Sequence, residues 1–507
     1  MGAEERMSES KGIRGLIKKI FGPVDLTTGS IAKGMIVFSL PVILSYLFQQ
    51  IYTISDAAIC GQTLSAGKVA GINDSASLIF IFLQFAFGST AGFCVVTSLR
   101  IGAGDKEGMR RSFAVQIVLC AVISAILTAA SILLIDPMLA WINITPDGGE
   151  AGREVYDAAK TYCIIIFAGI VAQMFYNFIC SLLRSIGDSA TPLAFLIGST
   201  VLNIGLDILF IAGFGWGAAG AAAATVAAQL LSAVACFVYA VVRYKDLRLH
   251  KENWKFSAAD FRRHLVQGIP LGLQFSVLAV GIIVMQSCVV SFDMLGGEMI
   301  AGHYAQNGFG SANKLNNFMM SPLMGLGVAV TSFIAQNSGA GADERVKKGA
   351  GRAMLLMLAL FVITAGIGML LTINGAYLYI FLSPEKITSE TIRYGNIYLY
   401  TDFAMYAVLG SVFVLRGAVQ GVGKSAFVLG AGAGELIARV LVCLFLPSAV
   451  NGAPVDAAAG NAAYFALCTA DPLAWCASVA VLCFSFFPHV VRRGPGKKRD
   501  WLSAGRG

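Results

Sequence analysis

The sequence predicts an all-α integral membrane protein, with about twelve transmembrane helices in two six-helix lobes related by a pseudo-twofold axis along the membrane normal. Three observations predict it. Apolar runs near twenty residues recur along the whole chain, Lys and Arg fall on one side of them, and the chain repeats itself near its middle.

Of 507 residues, 57% are hydrophobic and 13% charged, and the mean hydropathy is +0.73. Soluble domains average about 25% charged residues. A run of about twenty apolar residues crosses a hydrocarbon core about 30 Å thick, and no soluble interior could bury a dozen of them. Breaks between runs place helices near residues 32–57, 69–98, 112–142, 158–183, 191–212 and 217–242, and again near 265–292, 303–337, 352–382, 393–416, 425–447 and 461–487. The 303–337 stretch is long for one span, and Pro322 is expected to bend it.

With twelve spans both termini share a side. On that side and its flanks lie 30 of the 37 Lys and Arg, Arg184 and Arg416 among them. The opposite side holds five, namely Lys68, Arg153, Lys160, Lys386 and Arg393, while Lys314 and Arg439 fall within spans. The positive-inside rule then puts the termini in the cytoplasm. It also accounts for the net charge of +8 without nucleic acid. The 11 cysteines form no CxxC pair and read as small buried hydrophobes. No cleaved signal peptide is expected, since residues 1–30 are polar and the first apolar run is too long for one. Ile13, Leu16, Ile17, Ile20 and Phe21 alternate with basic residues, a spacing that suits either a surface-lying amphipathic helix or a solvated tail.

The charged linker from Arg243 to His264 divides two similar halves. Val96–Ser112 (VTSLRIGAGDKEGMRRS) matches Val330–Gly349 (VTSFIAQNSGAGADERVKKG), and Ser185-Ile-Gly-Asp-Ser189 matches Gly421-Val-Gly-Lys-Ser425. Pro41 and Pro270 open the two halves alike. The expected organisation is a tail (1–31), a first lobe (32–243), a linker (244–264), a second lobe (265–488) and a basic tail (489–507). Each half holds an even number of spans, so the repeats are parallel, an arrangement that sets a binding site between lobes near the midplane.

Ionisable groups within spans mark function by default. The first half has Asp56 on its first helix, Asn203 and Asp207 four apart on its fifth, and Thr225 on its sixth. At 1.5 Å per residue all lie in the half of the lobe away from the termini, Asp56 nearest the rim. Converging, they would offer an all-oxygen set for a hard monovalent cation, or carboxylates sharing a proton. Separately, each aspartate would cap a helix or bond a neighbouring backbone. In the second half Glu435 and Arg439 are spaced as a structural ion pair. Asp402 and Asp471 sit in outer portions of their helices, Asp471 before Pro472 where it could serve the backbone at a break. Lys314 could snorkel to the interface. Ala418–Ser425 (AVQGVGKS) nearly spells a P-loop but lacks its first glycine and its strand–loop–helix setting.

Several motifs in order give the chain a family likeness. They are Thr27-Thr-Gly-Ser30, LPVILSYLFQQIYTISDAAICG from Leu40 to Gly61, the GAGD loop at Gly102, LLRSIGDSATP from Leu182, NIGLD from Asn203 to Asp207, SANKLNNFMMSPLMGLGVAVTSFIAQNSGAG from Ser311, and VQGVG from Val419. Over roughly residues 26–487 the chain resembles the multidrug and toxic compound extrusion (MATE) transporters, with most detail shared with bacterial members of the DinF-like branch. The resemblance implies a V-shaped pair of lobes, and no enzyme, exporting amphipathic, typically cationic compounds against entry of Na⁺ or H⁺. It implies a cation site at Asp56, Asn203, Asp207 and Thr225. A carboxylate that some relatives carry on the seventh helix is absent, Gln274 and Ser276 lying thereabouts. Tyr52, Gln50, Asn177 and Gln274 are expected as further contacts to substrate or ion. No cofactor beyond the coupling ion is expected, and a monomer in the bacterial cytoplasmic membrane. The competing expectation is a flippase for lipid-linked oligosaccharides or peptidoglycan precursors, which would need a cationic cavity for a pyrophosphate.

Overall fold

A computed structural model describes residues 22–147, 149–300 and 302–492. Residues 13–21, read as a surface-lying helix or a solvated tail, and most of the basic tail lie outside these described residues. In lipid every backbone N–H and C=O must be satisfied within its own segment, and the apolar runs accordingly form long helices. Among the described residues ten are long and apolar enough to span unaided, and two bent pairs, each taken as one span, bring the total to twelve.

The first span is Ile31–Thr63, the second Ala66–Gly102 and the third Lys106–Leu133. The fourth is broken, Gly149–Ala168 followed by Ile170–Ser185, with a bend of 46°. A side chain at Gly169 would collide with Val226 of the sixth span, so the break lets two helices touch. The fifth is Ala190–Gly213 and the sixth Gly217–Arg243. In the second lobe come Ala258–Asp293, Tyr304–Ala340 and Asp343–Gly375. The tenth span is the other broken one, Ser389–Ala404 and Tyr406–Gly421, bent by 53°. Ser425–Asn451 and Asn461–Val491 complete the set. The eighth span runs without interruption through Pro322; the breaks fall at Gly169 and Met405 instead. A two-residue hairpin, Met294–Leu295 against Glu298–Met299, caps the seventh span.

Polarity is turned inward, as lipid requires. On the fifth span Val201 is 67% exposed, whereas Asn203 and Asp207 are fully buried. Leu133, Leu370 and Phe484 likewise project outward. Each lobe has its own apolar core, and the first span belongs to both. Its early residues Met35, Phe38 and Val42 pack in the second lobe's core with Leu326, Val330 and Phe333. Its later Cys60 packs with Ile211 and Ala218 of the first lobe.

The lobes are clasped at the end that carries the termini. Gly102 meets the Gln336 backbone and Gly339 meets the Leu99 carbonyl, so closely that neither position has room for a Cβ. Gln336 Nε2 donates to Ser185 O at 2.7 Å. The segment before the first span lies across both lobes. Val24 N–H donates to Gly187 O at 2.9 Å, while Leu26 O accepts from Asn337 Nδ2 at 2.9 Å and Gly29 O from Arg345 at 2.9 Å.

Candidate functional site

The first lobe gathers the residues expected to converge. Because the first span continues to Thr63, Asp56 lies seven residues inside its end, about 10 Å at the helical rise, and not near the rim. Asp207 stands six residues before Gly213 and Thr225 eight after Gly217, which are comparable depths. Immediately after Asp207 the fifth span widens into a π-helical turn, Ile208–Gly213, a local irregularity that recurs at functional sites. The Asp56 and Asp207 carboxyls lie close enough to interact electrostatically. The Tyr52 hydroxyl, one turn before Asp56, sits beside the Thr225 hydroxyl and within electrostatic range of both acids. Tyr162 and Cys60, which the sequence reading passed over, also face the pair.

The hydrogen-bond accounting is telling. Tyr52 Oη, Asp56 Oδ1, Asn203 Oδ1 and Nδ2, both Asp207 carboxylate oxygens and Thr225 Oγ1 are all buried without a hydrogen-bond partner. Buried polar atoms in folded proteins are almost always satisfied, and each orphan costs about 1–3 kcal/mol. Among the described residues no Lys or Arg is paired with Asp56 or Asp207. The donor set is rich in oxygen and carries two acids, which suits a small hard cation or a shared proton.

The other candidates divide. Asn177, 9% exposed, has an unpartnered Nδ2 and lines a cavity between the first, second, fourth and fifth spans. Gln274 is fully buried with both side-chain polar atoms unpartnered, packed on Gly432 of the eleventh span, and Ser276 donates to Ile81 O at 2.9 Å. Gln50 is half-buried and joins neither group.

The second lobe holds a different arrangement. Arg439 Nη2 lies 2.6 Å from Asp471 and 3.6 Å from Glu435, and Arg416 lies 3.0 Å from Glu435. The expected Glu435–Arg439 pair is thus the longest link of a chain. Asp471 serves this network and not the backbone, because Arg439 Nε donates to it at 2.8 Å and Tyr398 Oη at 3.3 Å. Asn316 Nδ2 donates to Asp402 at 2.7 Å and to Tyr398 Oη at 2.9 Å, and Tyr406 donates to Asn316 Oδ1. Asn316, Tyr398 and Tyr406 were not singled out from sequence. Tyr398, Asp402 and Tyr406 are spaced four apart, so one helical face could have announced them. Lys314 is exposed, over the Phe381 ring at 5.6 Å.

Two packed lobes of membrane-spanning helices with polar groups turned inward are an architecture that many secondary transporters share. The family follows from comparison. The MatE family pattern matches residues 41–209 and again 278–445, once in each half, and the chain belongs to that family. It is 30% identical over 408 residues to the "Probable multidrug resistance protein YpnP" of Bacillus subtilis, covering 80% of this chain and 86% of the relative. With the "Probable multidrug resistance protein NorM" of Thermotoga maritima it shares 26% over 361 residues, 70% of this chain and 71% of the relative. A solved structure described as the outward-facing conformation of a multidrug resistance MATE family transporter superposes with a TM-score of 0.77 at 18% identity, covering 93% of this chain and 98% of the other.

Proposed function

We propose that this multidrug-type transporter is an antiporter in which entry of Na⁺ or H⁺ through the first lobe drives export of amphipathic small molecules by alternating access. Asp56, Asn203, Asp207 and Thr225, with Tyr52, hold the ion. The observation that carries this reading is the pair of adjoining carboxyls amid buried, unpartnered oxygens and an amide. Two ionised acids so placed repel each other, and one proton or one Na⁺ relieves them.

The first span supplies a mechanical link. It carries Asp56 into the first lobe while its base is embedded in the second lobe's core, so drawing Asp56 toward Asp207 loads the joint between lobes. One charge moving inward releases roughly 2.3 kcal/mol per 100 mV, which sustains about a fiftyfold gradient of a neutral substrate. Placement of the termini in the cytoplasm of a bacterial inner membrane, and action as a monomer needing no cofactor but the ion, belong to the same proposal. The flippase alternative is not favoured, because the curated relatives are named as multidrug resistance proteins.

The test is efflux of amphipathic dyes of both charges from a pump-deficient bacterial host, with sodium and an uncoupler varied independently. Export should collapse under one of the two treatments; export indifferent to both overturns coupling. Asp207→Asn, at equal membrane abundance, should leave under about a tenth of the efflux. Unchanged efflux removes Asp207 from the mechanism.

A further inference from the structure

Among the described residues three arginines are more than nine-tenths buried, Arg100, Arg416 and Arg439, and each faces a carboxylate, at 3.1, 3.0 and 2.6 Å. Arg184 does not. It occupies the last turn of the fourth span, its Nε is buried without a hydrogen-bond partner, and it forms no ion pair among the described residues. The nearest acid in sequence, Asp188, is committed elsewhere, accepting from Thr191 N at 3.0 Å, Thr191 Oγ1 at 2.5 Å and Tyr244 Oη at 2.6 Å.

Arg184 also lines two adjoining cavities near the end where the lobes are clasped. One lies within the first lobe and includes Asn177 and Gln49; the other lies between the lobes and includes Thr331, Ser332 and Gln420. Phe87 borders both, and Phe275 stands edge-on to it at 5.3 Å between ring centres. Neither lining contains a carboxylate, and Arg184 is the charged residue in each. Asn177 lies seven residues before Arg184, on the same helical face, and its unpartnered atom is the Nδ2 donor. The two buried atoms of this wall left without a partner, Arg184 Nε and Asn177 Nδ2, are both donors.

We infer that this floor is an anion-recognition site, in which the Arg184 guanidinium and the Asn177 amide receive the carboxylate or phosphate of an amphipathic substrate. A guanidinium left without a carboxylate is matched by a planar or tetrahedral oxyanion taken in a forked contact. The cavities measure about 30 and 70 Å³, room for an anionic head and a few waters but not for a whole drug. The apolar body of the substrate lies between the lobes against Phe87 and Phe275. The family likeness leads to an expectation of cationic substrates; the charge of this lining opposes one. The inference rests on the transport reading only in taking the ligand to be cargo.

Riboflavin and flavin mononucleotide share a fluorescent ring system and differ by one phosphate, so they isolate the anionic contribution. Binding to the purified full-length chain in detergent, at equilibrium and without any gradient, keeps this test apart from ion coupling. Flavin mononucleotide should bind at least tenfold more tightly than riboflavin. Arg184→Gln should erase that preference, Arg184→Lys should keep part of it, and ethidium should bind the wild type no more tightly than Arg184→Gln. Should Arg184→Gln fold poorly, Asn177→Asp provides the second variant, since a carboxylate supplied beside Arg184 should abolish the preference too. Equal binding of the two flavins, a preference that survives these variants, or no saturable binding of flavin mononucleotide overturns the site.

Discussion

Both lobes bury acids in mid-span, and they answer the resulting charge in opposite ways. In the second lobe the answer is internal, with Arg416, Glu435, Arg439 and Asp471 forming an unbroken chain of ion pairs. In the first, Asp56 and Asp207 face each other with no guanidinium or ammonium paired to them among the described residues, and their neighbours' polar atoms stand unpartnered. A lobe that carries its own countercharge is locked by it. A lobe that lacks one takes its countercharge from solution, and its energy changes with occupancy. The repeat thus yields one rigid half and one responsive half from a common architecture.

The comparison can be broken most forcefully at Arg439. Arg439→Leu strands Asp471 and Glu435 beside Arg416 alone, and removing one partner of a buried pair costs about 3–5 kcal/mol. The expected outcome is a large fall in the thermal unfolding temperature of the purified protein. Neutralising Asp471 in the same chain should recover much of it, because Glu435 keeps its pairing with Arg416. Asp207→Asn should do the reverse, leaving the unfolding temperature level or higher because it removes a like charge. If Asp207→Asn destabilises as much as Arg439→Leu, the first-lobe acids are structural and the contrast fails.

A second test concerns response to the ion. A ligand at a hundredfold excess over its Kd stabilises the state that binds it by about 2.7 kcal/mol. Added Na⁺, or acidification if the ion is H⁺, should raise the unfolding temperature of the wild type and of Asp402→Asn, and fail to do so in Asp207→Asn. Loss of the response in Asp402→Asn instead would shift the ion to the second lobe.

The spans were legible because lipid imposes a crude, long-range rule, about twenty apolar residues at a time, and because the repeat doubled the signal. The buried acids of the spans stood out for the same reason, since a carboxylate among leucines is conspicuous. What the pattern hid is local. The break at Gly169 falls where the fourth span meets Val226 of the sixth, and neither break falls at a proline or a charged residue. Asn316 looks ordinary until a partner helix shows that it faces Tyr398 and Asp402. Arg184 and Arg416 were counted with the flanks of the connections, yet Arg416 is 7% exposed against Glu435 and Arg184 lines the cavities. The repeat held a clue, because it aligns Arg184 with Gln420, a charge in one lobe where the other has an amide.

The smallest effect tests the comparison at the clasped end, where the repeat places matching serines. Ser189 Oγ donates to the Phe38 carbonyl at 2.8 Å, and Ser425 Oγ to Gln267 Oε1 at 2.6 Å. Phe38 O belongs to a helix and keeps its place in that helix's own hydrogen-bond ladder, so Ser189→Ala should cost about 0.5–1.5 kcal/mol, the net worth of one hydrogen bond. Gln267 is held on its other side by Nε2 donating to Gly423 O at 2.8 Å. Ser425→Ala therefore leaves a buried acceptor that cannot turn away without breaking a second bond, and should cost about 1–3 kcal/mol. Unfolding of the two variants in the same detergent measures the difference. A larger loss from Ser189→Ala would mean that the first lobe, despite its unpaired site, carries the stiffer of the two hinges.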